Sequence, residues 1–196
     1  MLASYQQLND EELAVLTQKQ DSQAYEELVK RYEAKMFRYG RKFLRNQTDI
    51  EDLVQDTFLK AYVNINSFDK DLKFSPWLYR IAHNTFINAI KKQEKQPFLF
   101  FDPDALFPHP IAKDKTDQTI NDEQIKATID RCLAEIDAKY REPLILFYLE
   151  ELSYQEIGDI LQIPVSTVGV RIKRAKDKMA SILTSRLRSG QENYEY

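Results

Sequence analysis

Glycine is scarce in this chain, with only four in 196 residues. No glycine-rich loop that could cradle a phosphate is present. The long stretches between the glycines carry helical spacing and little of the alternation a strand needs, so the expected class is all-α. A single cysteine, Cys132, excludes an intrachain disulfide and fits a reducing cytoplasm. The two histidines, His83 and His109, are far apart and join no second cysteine, so no metal site is expected. His83 reads as a helix-surface or packing residue. No run approaches the roughly 18 apolar residues of a membrane span, and the first residues lack a basic-then-apolar signal pattern. The expectation is a cytoplasmic protein without membrane insertion. Neither a metal cluster nor a nucleophile–base pair is visible, so neither an enzyme nor a cofactor is expected.

What the chain does have is charge, unevenly spread. Charged residues make up 30% and hydrophobic ones 43%, the proportions of an ordinary globular protein long enough for two small cores. The net charge of −3 argues by itself against a nucleic-acid binder. Its distribution argues the other way. Pro164–Arg188 holds seven Lys/Arg against one acid, a local +6, whereas Thr119–Leu161 holds four basic against ten acidic residues, a local −6. Such asymmetry points to partners better than the total does.

Helix starts punctuate the sequence. Asn9 and Glu12 form a capping box with Leu8 placed to staple onto Leu13, Asp21 can cap the next helix, and Thr48/Glu51 and Ser153/Glu156 repeat the box. Leu28, Tyr32, Met36, Tyr39 and Phe43 recur at core spacing up to about Leu44. Ser75-Pro76 reads as a cap followed by proline at the first helical position. Pro97–Asp117 breaks the pattern with four prolines and the run Phe98-Leu99-Phe100-Phe101. The expected organisation is two small helical domains, 1–96 and 119–188, joined by a flexible linker at 97–118, with a disordered tail at 189–196. In the second domain Ile125, Ile129, Leu133 and Ile136 form one apolar stripe, with Leu144, Phe147 and Tyr148 as further core candidates. A helix opened by Ser153, the turn Gln162-Ile163-Pro164 and a longer helix from Val165 to about Ser185 make a helix-turn-helix. Gly158 suits the close crossing of that pair.

The most informative stretch is Asp49–Lys92. On its first helix Ile50, Leu53, Val54, Thr57, Phe58 and Ala61 fall on one side. Asp52, Gln55, Asp56, Leu59 and Val63 fall on the other. An acidic face carrying Leu59 and Val63 is either a solvated face or a partner surface, and the two apolar residues favour the partner. On the second helix Trp77, Arg80, Asn84, Asn88, Lys91 and Lys95 share a stripe whose ring, amides and cations suit bases and phosphates. On the last helix Val165, Val168, Ile172, Ala175, Met179 and Leu183 are expected to face inward. Ser166, Thr167, Val170, Arg171, Lys173, Arg174 and Lys178 lie outside, the N-terminal ones placed for base edges and the lysines for backbone.

DLVQDTFLKAY followed by FSPWLYRIAHNTFIN resembles the second conserved region of bacterial sigma factors, and with the helix-turn-helix the chain resembles the extracytoplasmic-function (ECF) type from about Asp21 to Arg186. The resemblance implies a factor that binds core RNA polymerase and directs initiation at promoter DNA. Asp52, Gln55, Asp56 and Leu59 would grip the clamp helices. Asn66, Phe68, Lys73, Phe74, Trp77, Arg80, Asn84 and Asn88 would read melted −10 DNA. Ser166, Thr167, Gly169, Val170, Arg171, Lys173 and Arg174 would read −35 duplex. The linker would thread the polymerase's active-centre cleft, if it is more than a tether, and an anti-sigma factor would be a further partner. Gly169 departs from many members, which carry a polar side chain there; it marks either close backbone approach to DNA or no constraint. The alternative is a stand-alone helix-turn-helix regulator with a sensing or dimerising first domain, which would bind duplex by itself, usually as a dimer on a palindrome.

Overall fold

The computed structural model describes residues 5–44, 46–94 and 128–192, and within them every regular element is helical. The first domain is built from α1 (Asp10–Gln18), α2 (Ser22–Gly40), α3 (Gln47–Asn64) and α4 (Phe74–Glu94). The second contains a helix at 128–134 (α5), α6 (Ala138–Tyr148), α7 (Tyr154–Leu161) and α8 (Val165–Glu192). The linker expected at 97–118, Ile125 and Lys95 lie outside the described residues. α8 continues to Glu192, past the point where the tail was expected to begin.

Local chemistry explains most boundaries. Asn9 and Glu12 make the reciprocal box that opens α1, at 2.8 Å in each direction. Asp21 accepts from the amides of Gln23 and Ala24 to open α2. That helix stops at Gly40, and residues 41–43 form a turn where continuation to Leu44 was expected. Asn46, not Thr48, caps α3, accepting from the amides of Thr48 and Asp49. α4 starts at Phe74, one residue before the expected Ser75 cap, because its first amide donates to the Glu11 carboxylate at 2.9 Å. A carboxylate on α1 therefore does the work of a local cap.

Leu28, Tyr32, Met36 and Tyr39 line the buried side of α2, facing Ile50, Val54 and Ala61 of α3 and Leu78, Ala82 and Phe86 of α4. Arg31 ties α2 to α1, pairing with Glu27 and Asp10 and donating to the carbonyls of Leu8 and Tyr5. Gln18 on α1 donates to the carbonyls of Ile65 and Phe68 at 3.0 and 2.9 Å. With Glu11, it pins both ends of the α3–α4 connection.

In the second domain Leu133, Ile136, Leu144, Ile145, Ile157, Ile160, Val168 and Ile172 are buried. Ile129, Tyr148 and Val165, expected inside, are 39%, 55% and 37% exposed, and Phe147 is half-buried. Tyr148 instead stacks edge-on against Phe147 at the surface. The two expected cores merge into one apolar cluster that runs from Leu13 to Ala175.

Candidate nucleic-acid and polymerase interface

The outer face of α3 is open. Asp52 and Gln55 are exposed, and Leu59 and Val63, one turn apart, are 62% and 69% exposed. Asp56 is half-buried and paired with Lys60 at 2.7 Å. Lys60 also reaches Thr85 on α4, fixing the register of the two helices. An apolar row rimmed by carboxylates and an amide has the make-up of a protein-binding surface.

Beside it, α4 and the loop before it build a cleft of about 820 Å³ that includes Asn64, Lys73, Trp77, Arg80 and Asn84 in its walls. Trp77 is half-buried and rests on Phe68 and Phe74, with both ring centroids at 5.5 Å. Phe68 and Phe74 are only 4% and 1% exposed. Both were expected among the −10 readers; in this structure they form a buried platform beneath the Trp77 ring. Arg80, Asn84 and Asn88 are exposed along one side of α4, and Asn66 and Lys73 are exposed in the loop.

The third surface is the start of α8. Ser153 and Glu156 close the box that opens α7. Glu156 is held below the usual carboxylate range: burial opposes this, but hydrogen bonds from Ser153 and the charge of Lys73 outweigh it. Gln162 then turns the chain with φ 54° and ψ 47°, and α8 begins at Val165. Gly158 suits the close approach here, since a Cβ would stand a tight 3.0 Å from the Ile163 carbonyl oxygen. Ser166, Val170, Lys173 and Arg174 are exposed, and Thr167 and Arg171 half-buried. Arg174 donates to the Tyr140 hydroxyl at 3.4 Å, and Lys178 pairs with Asp137 at 3.0 Å and lies over the Tyr140 ring.

Gly169, expected among the −35 contacts, lies beside a ring of its own domain. A Cβ there would face the Tyr154 ring of the same domain at 3.4 Å, an ordinary contact. Gly169→Ala is expected to preserve duplex binding and raise stability by up to about 1 kcal/mol, since glycine is the poorer helix former. A thermal melt and a promoter-binding titration check this; lost binding in a folded variant would restore the backbone-approach reading.

Carboxylates that the sequence did not single out also matter. Glu142 on α6 is 4% exposed and accepts from the Tyr39 hydroxyl, with His83 Nδ1 at 2.6 Å. His83 is thus a packing residue. Burial first, then the neighbouring carboxylate charge, pushes the Tyr39 and Tyr79 hydroxyls well above their ordinary range, so both remain donors. Among the described residues no group of His, Cys, Asp and Glu could hold a metal ion, and no helix is long and apolar enough to cross a membrane.

Comparison with known proteins matches the first of these surfaces and the second to Sigma-70 region 2, at residues 28–96, and the third to Sigma-70 region 4, at residues 126–179. The ECF RNA polymerase sigma factor SigW of Bacillus subtilis is 36% identical over 82% of this chain and 89% of that protein. The chain belongs to the sigma-70 family, in its ECF branch. The RNA polymerase sigma-H factor of Pseudomonas aeruginosa is 30% identical over 93% of the chain and 97% of that protein. Among solved structures, that of CnrH in complex with the cytosolic domain of CnrY is 26% identical, with a TM-score of 0.65 over 90% of this chain and 97% of that one. Family matches in both halves do not favour a stand-alone regulator. α1, which braces the loop before α4 through Glu11 and Gln18, precedes the matched region 2 segment.

Proposed function

We propose that this ECF sigma factor directs initiation by dividing its contacts among the three surfaces. Asp52, Gln55, Asp56 and Leu59 dock core RNA polymerase. Trp77, Arg80, Asn84 and Asn88, with Asn66 and Lys73 of the loop, capture melted −10 DNA. Ser166, Thr167, Val170, Arg171, Lys173 and Arg174 grip −35 duplex. The observation that carries the reading is the adjacency on α3 and α4: an exposed apolar row beside a cleft of ring, cation and amides. Opening a few base pairs costs a few kcal/mol, and stacking returns about 1–3 kcal/mol per base.

In this reading the chain contributes binding, and RNA synthesis belongs to the polymerase. The cytoplasm, where polymerase and chromosome meet, is its workplace. The domain limits that fit are 1–96 and 119–188. An anti-sigma factor is a further partner class; CnrH itself was solved with the cytosolic domain of CnrY.

Gln55→Ala is expected to weaken polymerase binding and leave duplex recognition intact, and Arg174→Ala to weaken −35 binding and leave docking intact. The side-chain deletions should cost about 1–3 kcal/mol in their own assay. Pull-down on core enzyme and footprinting of the holoenzyme separate the two; equal loss of both functions in either variant contradicts the division.

A further inference from the structure

α1 lies outside the segment matched to Sigma-70 region 2, yet its polar side chains reach the backbone beneath Trp77. Glu11 accepts from the Phe74 amide at 2.9 Å. Gln18, about two turns further along the helix, donates its side-chain amide to the carbonyls of Ile65 and Phe68. Asp10 accepts from the Tyr32 hydroxyl at 2.6 Å, and the Tyr32 ring meets Phe74 edge-on at 5.5 Å. These contacts converge on the two phenylalanines whose rings carry Trp77.

The loop between those phenylalanines has little else to hold it. From Asn66 to Lys73 only Phe68 is buried, and every other side chain faces solvent. Its internal bonds are those of a short turn at Ile65–Phe68 and of the Asp69 turn, where the amide of Asp71 reaches the Asp69 carboxylate. A segment with so few buried apolar contacts opens locally at small cost unless something outside it ties it down. Here the ties come from α1.

That matters for reading bases. Stacking tolerates any sequence, because every base has a face to offer. Telling one base from another requires the Trp77 ring and the polar groups of Asn66 and Lys73 to be held in place to within about half an ångström. We propose that Glu11 and Gln18 are positioning residues of the −10 reader: they fix Phe68 and Phe74, and through them Trp77 and the loop. α1 thereby sets how sharply one −10 base is distinguished from another. The discrimination rests on the function proposed above; the hold of α1 on Trp77 does not.

The two anchors need opposite chemistry, which makes the idea testable. Position 11 needs an acceptor, because its partner is an N–H, and position 18 needs a donor, because its partners are carbonyls. Glutamate and glutamine share one outline and differ in this respect alone. Trp77 is the only tryptophan in the chain, so its emission reports on the ring. In the free, full-length protein, Gln18→Glu and Glu11→Ala are each expected to lower Trp77 fluorescence anisotropy. Both should also speed amide exchange across Ile65–Phe74 while leaving the helix content unchanged. In holoenzyme, transcription is compared between one promoter and its single-base −10 substitutions. The ratio of preferred to substituted rates is expected to shrink about fivefold in both variants, the weight of one lost hydrogen bond. Glu11→Gln keeps the acceptor and should recover the ratio.

A packing role alone would spare Gln18→Glu, or would lower every promoter in proportion. Either result in a folded chain overturns the proposal, and so does a Glu11→Gln variant as impaired as Glu11→Ala. Should Gln18→Glu fail to fold, the half-buried Glu11 decides the question through its Ala and Gln variants. Absence of any polymerase-dependent transcript with the parent chain defeats the function itself, and Trp77 anisotropy then shows separately whether α1 holds the ring.

Discussion

Gly40→Ala is expected to destabilise the protein by about 1–3 kcal/mol, the usual effect of forcing a methyl into a filled core. A Cβ at Gly40 would lie 2.7 Å from Phe86 Cε1 and 3.0 Å from Ile50 Cγ2. Neither neighbour can retreat easily, because Phe86 and Ile50 are each 1% exposed and the Phe86 ring also meets Tyr39 edge-on. Gly40 is thus where the end of α2 comes down onto α3 and α4, the two helices that carry the exposed apolar row and the cleft of Trp77. In a protein of this size the loss corresponds to a melting shift of about 2–4 °C per kcal/mol. Thermal denaturation measures it directly. A melting temperature equal to the parent's would mean that the three helices do not cross as tightly as described. Gly169, by contrast, has room for the same methyl, so the pair of alanine variants should move in opposite directions.

Trp77→Ala is expected to lower promoter opening by about 1–3 kcal/mol, the worth of one stacked base, or roughly 5- to 150-fold. The ring is held by Phe68 and Phe74 from below, with the loop fixed at its ends by Gln18 and Glu11. A preset ring loses little entropy on stacking, which is why its removal should weigh more than that of Asn84 or Asn88 on the same helix. Trp77→Phe keeps a face for the base and should recover most of the loss. Permanganate reactivity of promoter thymines, at saturating holoenzyme, reads opening separately from docking. Normal opening by a folded Trp77→Ala protein would remove Trp77 from the −10 site.

How far the sequence carried this depended on the range of each interaction. Caps made within a few residues were legible: Asn9 with Glu12, Asp21, and Ser153 with Glu156 all stand where the pattern put them. So did the exposed Leu59 and Val63, because helical periodicity alone separates the two faces of α3. The Thr48 box failed because Asn46, two residues earlier, offers the amides a cap first. The start of α4 was misread because its cap, Glu11, lies 63 residues away. Phe68 and Phe74 have the chemistry of base readers, and only the packing of α1 and α2 around the loop shows that they serve Trp77 from inside. Tyr148 carries the same ambiguity in the opposite sense. Glu142 and Glu150 read as two acids among many in an acidic stretch. What gives them weight is their position against α2 and α4, which no local pattern encodes.

The most direct test of the central claim is run-off transcription from a promoter library with purified core RNA polymerase, with and without this chain. Discrete transcripts that require both components, and that vanish with Gln55→Ala and Trp77→Ala docking and opening variants combined, are the predicted result. Specific duplex binding by the chain alone, with no transcript added to the polymerase's background, would contradict it.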